Sequence, residues 1–271
     1  MDRRGTSRHR GGNRSGRLVA AVAATSLAFL TVACGGEEEA AGGDVAPVAV
    51  SQEDLTKLPD ATTYGDLPNA AKDSGGESTG KVLHPKKDLV VYNEAGGEPI
   101  AKLPTTQVGS PTWVPVIAEK GEWAEILLPT RPNAASGWIH TGTDEVEAAQ
   151  NDFVVNIDRD DFQLEITKNG ESIGSWTIGT GKKEYPTPKG RAYIIASIEE
   201  TVNDYSPIVL PLSFHSDSHE TFGGGPGTVG IHTWPDDSFV GKETSDGCIR
   251  VTKEALDELV KLPLGTIVNI V

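Results

Sequence analysis

Cys248 is one of only two cysteines in a chain of 271 residues, and it lies in the run Ser245-Asp246-Gly247-Cys248-Ile249-Arg250. The other, Cys34, falls in what reads as an export signal. A lone thiol in an exported fold has no disulfide partner, so it is either packed as an inert core residue or kept reactive. The polar residues before Cys248 and the arginine two positions after it favour reactivity. Upstream, His232 in Gly230-Ile231-His232-Thr233 could take the thiol proton and release a thiolate that attacks acyl carbons. Gly247 lets successive backbone N–H groups approach a reacting carbonyl. Acyl transfer through a thioester is the chemistry these residue types suggest.

Other constellations are weaker. His215 and His219 have a spacing that binds metals on a helix, but Ser216-Asp217-Ser218 between them and the glycine-rich run after them read as a loop. No metal and no cofactor is expected. The glycine run at 223–227 lacks the Lys-Ser/Thr of a phosphate loop and reads as a flexible border of the cleft leading into His232. His84 and His140 are expected to be solvated.

The same residues carry a resemblance. His232, a spacer of twelve residues, then Ser245, Gly247, Cys248, Ile249 and Arg250 resemble the signature of the L,D-transpeptidase catalytic domain. Asp246 stands where that pattern has a histidine. Gly179-Thr180-Gly181, then Thr187-Pro188-Lys189-Gly190, and the closing run at 264–268 extend the resemblance over residues 152–271. It implies Cys248 as nucleophile and His232 as base, with the Thr233 carbonyl holding the imidazole tautomer. Ser245 and Gly247 would support the oxyanion, and Arg250 is expected to bind a substrate carboxylate. The implied partners are peptidoglycan stem peptides cross-linked through diamino-acid residues, and carbapenem-type inhibitors that acylate Cys248.

Residues 1–17 hold six arginines and one aspartate, and residues 18–33 form an uncharged apolar run ending at Ala33 before Cys34. A basic region, a short apolar run and small residues before the cut define a secretory signal. Sixteen residues is short for a spanning helix, which needs about 20. The small residues before Cys34, and Gly35-Gly36 after it, resemble a lipoprotein signal with Cys34 as the lipidated residue; ordinary secretion is the alternative. The protein is expected outside the cytoplasm, on the outer face of the cytoplasmic membrane at the cell wall. The whole chain carries −15, and setting aside the +5 of residues 1–17 leaves −20. Such a charge excludes nucleic acid as a partner and leaves a lipid as the only means of membrane attachment.

The elements that must position these residues follow from periodicity. Residues 35–80 are rich in Gly, Ala, Asp, Glu, Ser and Pro, which predicts a mostly disordered tether. Between 82 and 147, short apolar runs punctuated by Gly and Pro predict a small β-barrel. Gly121-Glu122-Trp123 and Ser136-Gly137-Trp138-Ile139 there resemble bacterial SH3-like domains, which implies wall or peptide binding, or a spacer role. At about 60 residues the unit is marginal alone and is expected to dock on its neighbour. From 152 onward, strands at 153–158 and 162–166, a hairpin turn at Asn169-Gly170, further strands at 172–179 and 191–198, and one helix at 253–261 capped by Thr252 are expected. The fold class is mainly β, an L,D-transpeptidase-type sandwich with one late helix.

Three functions fit: an L,D-transpeptidase, an L,D-carboxypeptidase-type cysteine hydrolase with water as acceptor, and a non-catalytic wall-binding lipoprotein in which Asp246 marks a decayed site.

Overall fold

The computed structural model describes residues 45–271 apart from 77, 222 and 223. The expected export signal and Cys34 lie outside the described residues. Among those described, no helix is long and apolar enough to cross a membrane.

The accessory part is built from short strands. In chain order these are β1 (Ala71–Lys72), β2 (Lys81–Pro85), β3 (Leu89–Tyr92), β4 (Pro99–Leu103), β5 (Thr106–Gln107) and β6 (Ser110–Pro111). They continue with β7 (Val114–Lys120), β8 (Trp123–Leu127), β9 (Ala135–His140) and β10 (Val146–Gln150). Hydrogen bonding runs in the order β10-β2-β7-β8-β9-β3-β4, with β1 added on β9. The edge strands β10 and β4 do not pair, so the expected barrel is an open sheet and is not closed. Leu83, Val91, Leu103, Val116, Ile126 and Ile139 fill its inner face.

The expected disordered tether is corrected from Val45 onward. Ser51 caps a single helical turn, α1 (Gln52–Leu55), by accepting the Asp54 N–H. Trp123 Nε1 donates to the Val45 carbonyl at 2.7 Å and Tyr92 Oη to the Val48 carbonyl at 2.8 Å. Ala61 and Leu67 are buried in the accessory core, and β1 pairs with β9. Asp73 forms a buried ion pair with Arg191 of the catalytic part. The segment holds itself by backbone hydrogen bonds and a few spaced apolar anchors, which is why its polar composition misleads.

The catalytic part is a two-sheet sandwich. One sheet contains β11 (Phe153–Asp158), β12 (Gln163–Lys168), β13 (Glu171–Thr177), β15 (Gly190–Tyr193) and β21 (Ile267–Ile270) in the order β13-β12-β11-β21-β15. Between β13 and β15 runs the short β14 (Thr180–Gly181), which pairs with β19 (Glu243–Ser245). The second sheet has the order β16 (Ile198–Glu199), β17 (Ile208–His215), β18 (Thr228–His232), β20 (Ile249–Arg250). Val155, Ile157, Leu164 and Ile166 of the first sheet meet Leu210, Leu212, Phe214 and Ile231 of the second in one core. The late helix α2 (Lys253–Leu259) turns Ala255, Leu256 and Leu259 into that core, and Thr252 accepts the Ala255 N–H. Asn169 and Gly170 take φ of 51° and 79°, the left-handed pair of a tight hairpin. Phe162 also has positive φ, at 53°, so it closes the preceding turn and β12 starts one residue later than expected.

The two parts share a strand. Ala192 and Ile194 point into the catalytic core, while Tyr193 and Ile195 on the opposite face are buried in the accessory core. The period-2 alternation of an extended chain makes this possible: one stretch supplies a wall to each core. Ala134 of the accessory part packs in turn against the catalytic core.

Two expectations of solvated histidines are corrected here. His84 Nδ1 lies 2.7 Å from the Thr112 carbonyl and its ring stacks on Trp113. His140 meets the ring edge of Trp123 and the Glu122 carboxylate.

Candidate active site

Alternation along two neighbouring strands assembles the site. On β18, Val229 and Ile231 enter the core, which turns Gly230 and His232 to the opposite, cleft face. On β20, Ile249 enters the core and Arg250 follows onto the cleft face, with Cys248 just before it. The strands are parallel, with Ile231 opposite Ile249 and His232 opposite Arg250. That register sets the thiol of Cys248 beside Gly230, whose backbone hydrogen bonds to it. Cys248 is half-buried and opens onto a cavity of about 430 Å³ lined also by Tyr205, His232, Trp234, Asp246 and Arg250.

His232 is held firmly. Its Nδ1 lies 2.7 Å from the Thr233 carbonyl, so Nδ1 carries the proton and Nε2 keeps its lone pair. The Tyr205 ring meets the imidazole edge-on at 5.0 Å. Thr233 is fixed in turn, its N–H donating to Ser206 Oγ and its hydroxyl to the Tyr205 carbonyl, both at 3.0 Å. Burial pushes the imidazole below its ordinary pKa; the Thr233 carbonyl opposes this and the Arg250 charge adds to it. Burial also pushes the Cys248 thiol up, against the Gly230 hydrogen bond and the Arg250 charge, with Asp246 adding to the rise. Both shifts favour a neutral thiol beside a neutral imidazole.

The turn that carries the thiol is closed by Ser245. Its buried hydroxyl donates to the Cys248 carbonyl at 2.5 Å and accepts the Gly247 N–H at 3.2 Å. Gly247 has φ of 116°, a conformation that favours glycine. Its N–H is thus engaged within the turn, which departs from the expectation that it faces an oxyanion. The threonine motif supports the turn from below: Thr187 Oγ1 donates to the Gly247 carbonyl and accepts the Gly181 N–H, each at 2.9 Å. Arg159 grips the Thr187 carbonyl. A Cβ on Gly181 would come within 2.2 Å of the Tyr185 carbonyl, so only glycine fits there.

Asp246 and Arg250 are both partnered. Asp246 is half-exposed and pairs with Lys182 at 2.6 Å. The Arg250 guanidinium lies 3.7 Å over the Trp234 ring and donates to Thr244 Oγ1 at 3.2 Å. Tyr205, Trp234 and Lys182 were not singled out from the sequence. Trp234 follows directly on Thr233, which is a usable signal, whereas Tyr205 lies 28 residues upstream of Thr233 in no motif. His215 and His219 take no part in the cavity wall around Cys248: His215 is buried with Nε2 at 2.7 Å from the Thr63 carbonyl, and His219 stacks on Tyr185.

Residues 152–270 match the YkuD family, the L,D-transpeptidase catalytic domain. This part of the chain is similar to L,D-transpeptidase catalytic domains. Solved structures of L,D-transpeptidases are similar to it. One from Mycobacterium tuberculosis H37Rv is 14% identical and covers 52% of this chain and 73% of its own, with a TM-score of 0.38. The catalytic domain of the E. faecium enzyme is 22% identical over 45% of this chain and 98% of its own, with a TM-score of 0.36. L,D-transpeptidase 3 of M. tuberculosis, bearing a faropenem-derived adduct, is 14% identical over 51% and 74%, with a TM-score of 0.37. No match is found among curated proteins.

The Lys182 partner bears on how an L,D-transpeptidase domain tolerates aspartate before the glycine. An unpaired carboxylate would disfavour a thiolate beside it; a paired, half-exposed one does so weakly. Asp246→Asn is expected to move the pH profile of Cys248 alkylation by iodoacetamide slightly to lower pH, by less than about one unit. Lys182→Ala, which bares the carboxylate, moves it the other way. A full-unit downward shift in Asp246→Asn would show the carboxylate acting directly on the sulfur.

Proposed function

We propose that this chain is a cysteine acyltransferase that cross-links peptidoglycan stem peptides. The observation that carries the reading is the 2.7 Å contact of His232 Nδ1 with the Thr233 carbonyl, on the strand beside Cys248, which leaves Nε2 as the only ring nitrogen able to accept a proton. Cys248 Sγ attacks an amide carbonyl of the donor peptide as His232 Nε2 takes the thiol proton. The tetrahedral oxyanion is received by the Cys248 N–H, a kind of donor worth about 2.7–4 kcal/mol. The C–N bond then breaks, His232 protonates the departing amine, and a thioester remains. The side-chain amine of a diamino acid on a second stem peptide attacks the thioester, giving a new amide and returning the thiol. Arg250, held over Trp234 at the cavity wall, receives a substrate carboxylate.

Mass spectrometry of the protein incubated with donor and acceptor stem peptides tests this reading. A cross-linked product supports transfer; trimmed donor that forms equally with or without acceptor supports the hydrolase instead. Absence of both, with a thiol inert to alkylation, supports the wall-binding reading. A carbapenem is expected to leave a stoichiometric adduct on Cys248.

The anchoring reading joins this proposal. Cys34→Ala is expected to shift the protein from the membrane fraction to the medium or to block its processing. Unchanged fractionation would remove the lipid anchor and leave export standing.

A further inference from the structure

The segments that back one wall of the catalytic cavity are held from outside the catalytic domain. Arg131, between β8 and β9 of the accessory part, reaches across to three backbone carbonyls. Its NH1 nitrogen donates to Ser216 at 3.4 Å, and NH2 donates to His219 at 3.1 Å and Pro226 at 3.0 Å. These carbonyls belong to the two stretches, 216–219 and 226–228, that lead out of β17 and into β18. Gly227 admits the guanidinium: a Cβ there would lie 3.3 Å from NH2 and 2.2 Å from the His219 carbonyl. Asn133 fixes the start of the same wall, its side chain donating to the His215 carbonyl at 2.7 Å and accepting the His215 N–H at 2.8 Å. Thr63, in the arm before β1, holds the far end through Thr228 Oγ1 at 2.6 Å.

Two routes connect this wall to the reacting atoms. Thr228 lines the cavity directly, and Ser216 Oγ lies 3.9 Å from where a Cβ on Gly247 would stand. His219 stacks on Tyr185 at 4.2 Å, Tyr185 carries Lys182 over its ring at 4.8 Å, and Lys182 pairs with Asp246 at the cavity wall. A flat guanidinium with donors on several edges can bind three carbonyls that point from different segments, which an ammonium cannot do in the same geometry.

We propose that Arg131 is a positioning residue of the acyl-transfer site: by gathering the carbonyls of Ser216, His219 and Pro226 it fixes the segments that deliver Thr228 to the cavity wall and that back Lys182 and Asp246, and so the alignment of the donor peptide. The proposal rests on the reading of Cys248 as the nucleophile of peptide transfer. It makes the accessory part a component of the catalytic cleft, beyond a spacer or a wall-binding module. Arg131 touches neither Cys248 nor His232, so the thiol chemistry itself does not depend on it.

The test uses the full chain carrying Arg131→Met, which keeps the length and apolar stem but no donor, beside Arg131→Lys. Misalignment of a bound substrate by about an ångström lowers rates up to roughly 100-fold. Arg131→Met is therefore expected to lower kcat/KM for the donor peptide by about 10- to 100-fold, chiefly through kcat. Alkylation of Cys248 by iodoacetamide, and its pH profile, stay as in the parent chain, and Arg131→Lys recovers only part of the loss. Unchanged kcat/KM with a lowered Tm would overturn the proposal and leave Arg131 a purely structural contact. An altered alkylation profile would overturn it too, because Arg131 would then act on the thiol. Amide hydrogen exchange at 216–219 adds a readout that needs no turnover: faster exchange in Arg131→Met supports the grip, and unchanged exchange refutes it. If the parent chain transfers no peptide, the functional reading fails by itself, and the exchange result still decides whether Arg131 holds the wall.

Discussion

Cys248→Ser is expected to lower acyl transfer by about 10⁴-fold or more, and His232→Ala by a similar factor. A serine hydroxyl titrates far above a thiol, and a neutral imidazole that is buried and depressed in pKa is too weak a base to activate it. Without His232 the thiol stands with a raised pKa and loses the imidazole that would take its proton as the carbonyl carbon is attacked. Because sulfur and imidazole act in one step, the double variant should be no worse than the poorer single one. Product formation from paired stem peptides, followed by mass spectrometry, is the measurement. Turnover in Cys248→Ser within tenfold of the parent would refute the covalent route, and additive losses in the double variant would refute the pairing.

Ile195→Ala is expected to destabilise the whole chain by about 2–5 kcal/mol, the range for a fully buried large-to-small change. Ile195 is only 1% exposed, and although it belongs to the catalytic part by sequence, its side chain sits in the accessory core. Its neighbours Ala192 and Ile194 sit in the other core. Neither core can therefore lose its packing without stripping a wall from the other. Unfolding followed by tryptophan fluorescence in a Trp176→Phe, Trp234→Phe background, where the three remaining tryptophans report the accessory part, and by thiol exposure at Cys248, for the catalytic part, should give coincident transitions. Both should move together in Ile195→Ala. Two separate transitions, with only the tryptophan signal displaced, would show that the cores are independent.

Where the sequence is informative, local chemistry decides the structure. The Asn169-Gly170 hairpin, the Thr252 cap and the alternation of β12 each depend on a few neighbouring residues, and each is legible. The pair of His232 and Cys248 was legible because a rare residue type and a motif mark both. The Thr233 carbonyl contact, implied by resemblance, is present at 2.7 Å. Legibility ends where a contact spans the chain. Nothing near Asp246 points to Lys182, 64 positions away, and nothing near Tyr205 points to His232. The arm at 45–80 is the clearest case, because its Leu55, Ala61 and Leu67 look too sparse to order a chain. They suffice because the accessory sheet supplies edges and aromatic donors that complete the segment's backbone hydrogen bonds. The barrel was misjudged for a similar reason: closure depends on whether the first and last strands meet, which strand-by-strand periodicity does not encode.

The docking of Val45 and Val48 on Trp123 and Tyr92 also fixes how far the enzyme can range. On the proposed anchoring at Cys34, only ten residues separate the lipidated residue from Val45, where the chain enters the folded body. Fully extended, they reach at most about 40 Å, whereas a free leash running to residue 80 would reach about four times as far. With that anchor the cleft would be confined to a shallow layer above the bilayer, and glycan strands deeper in the wall would be out of its reach.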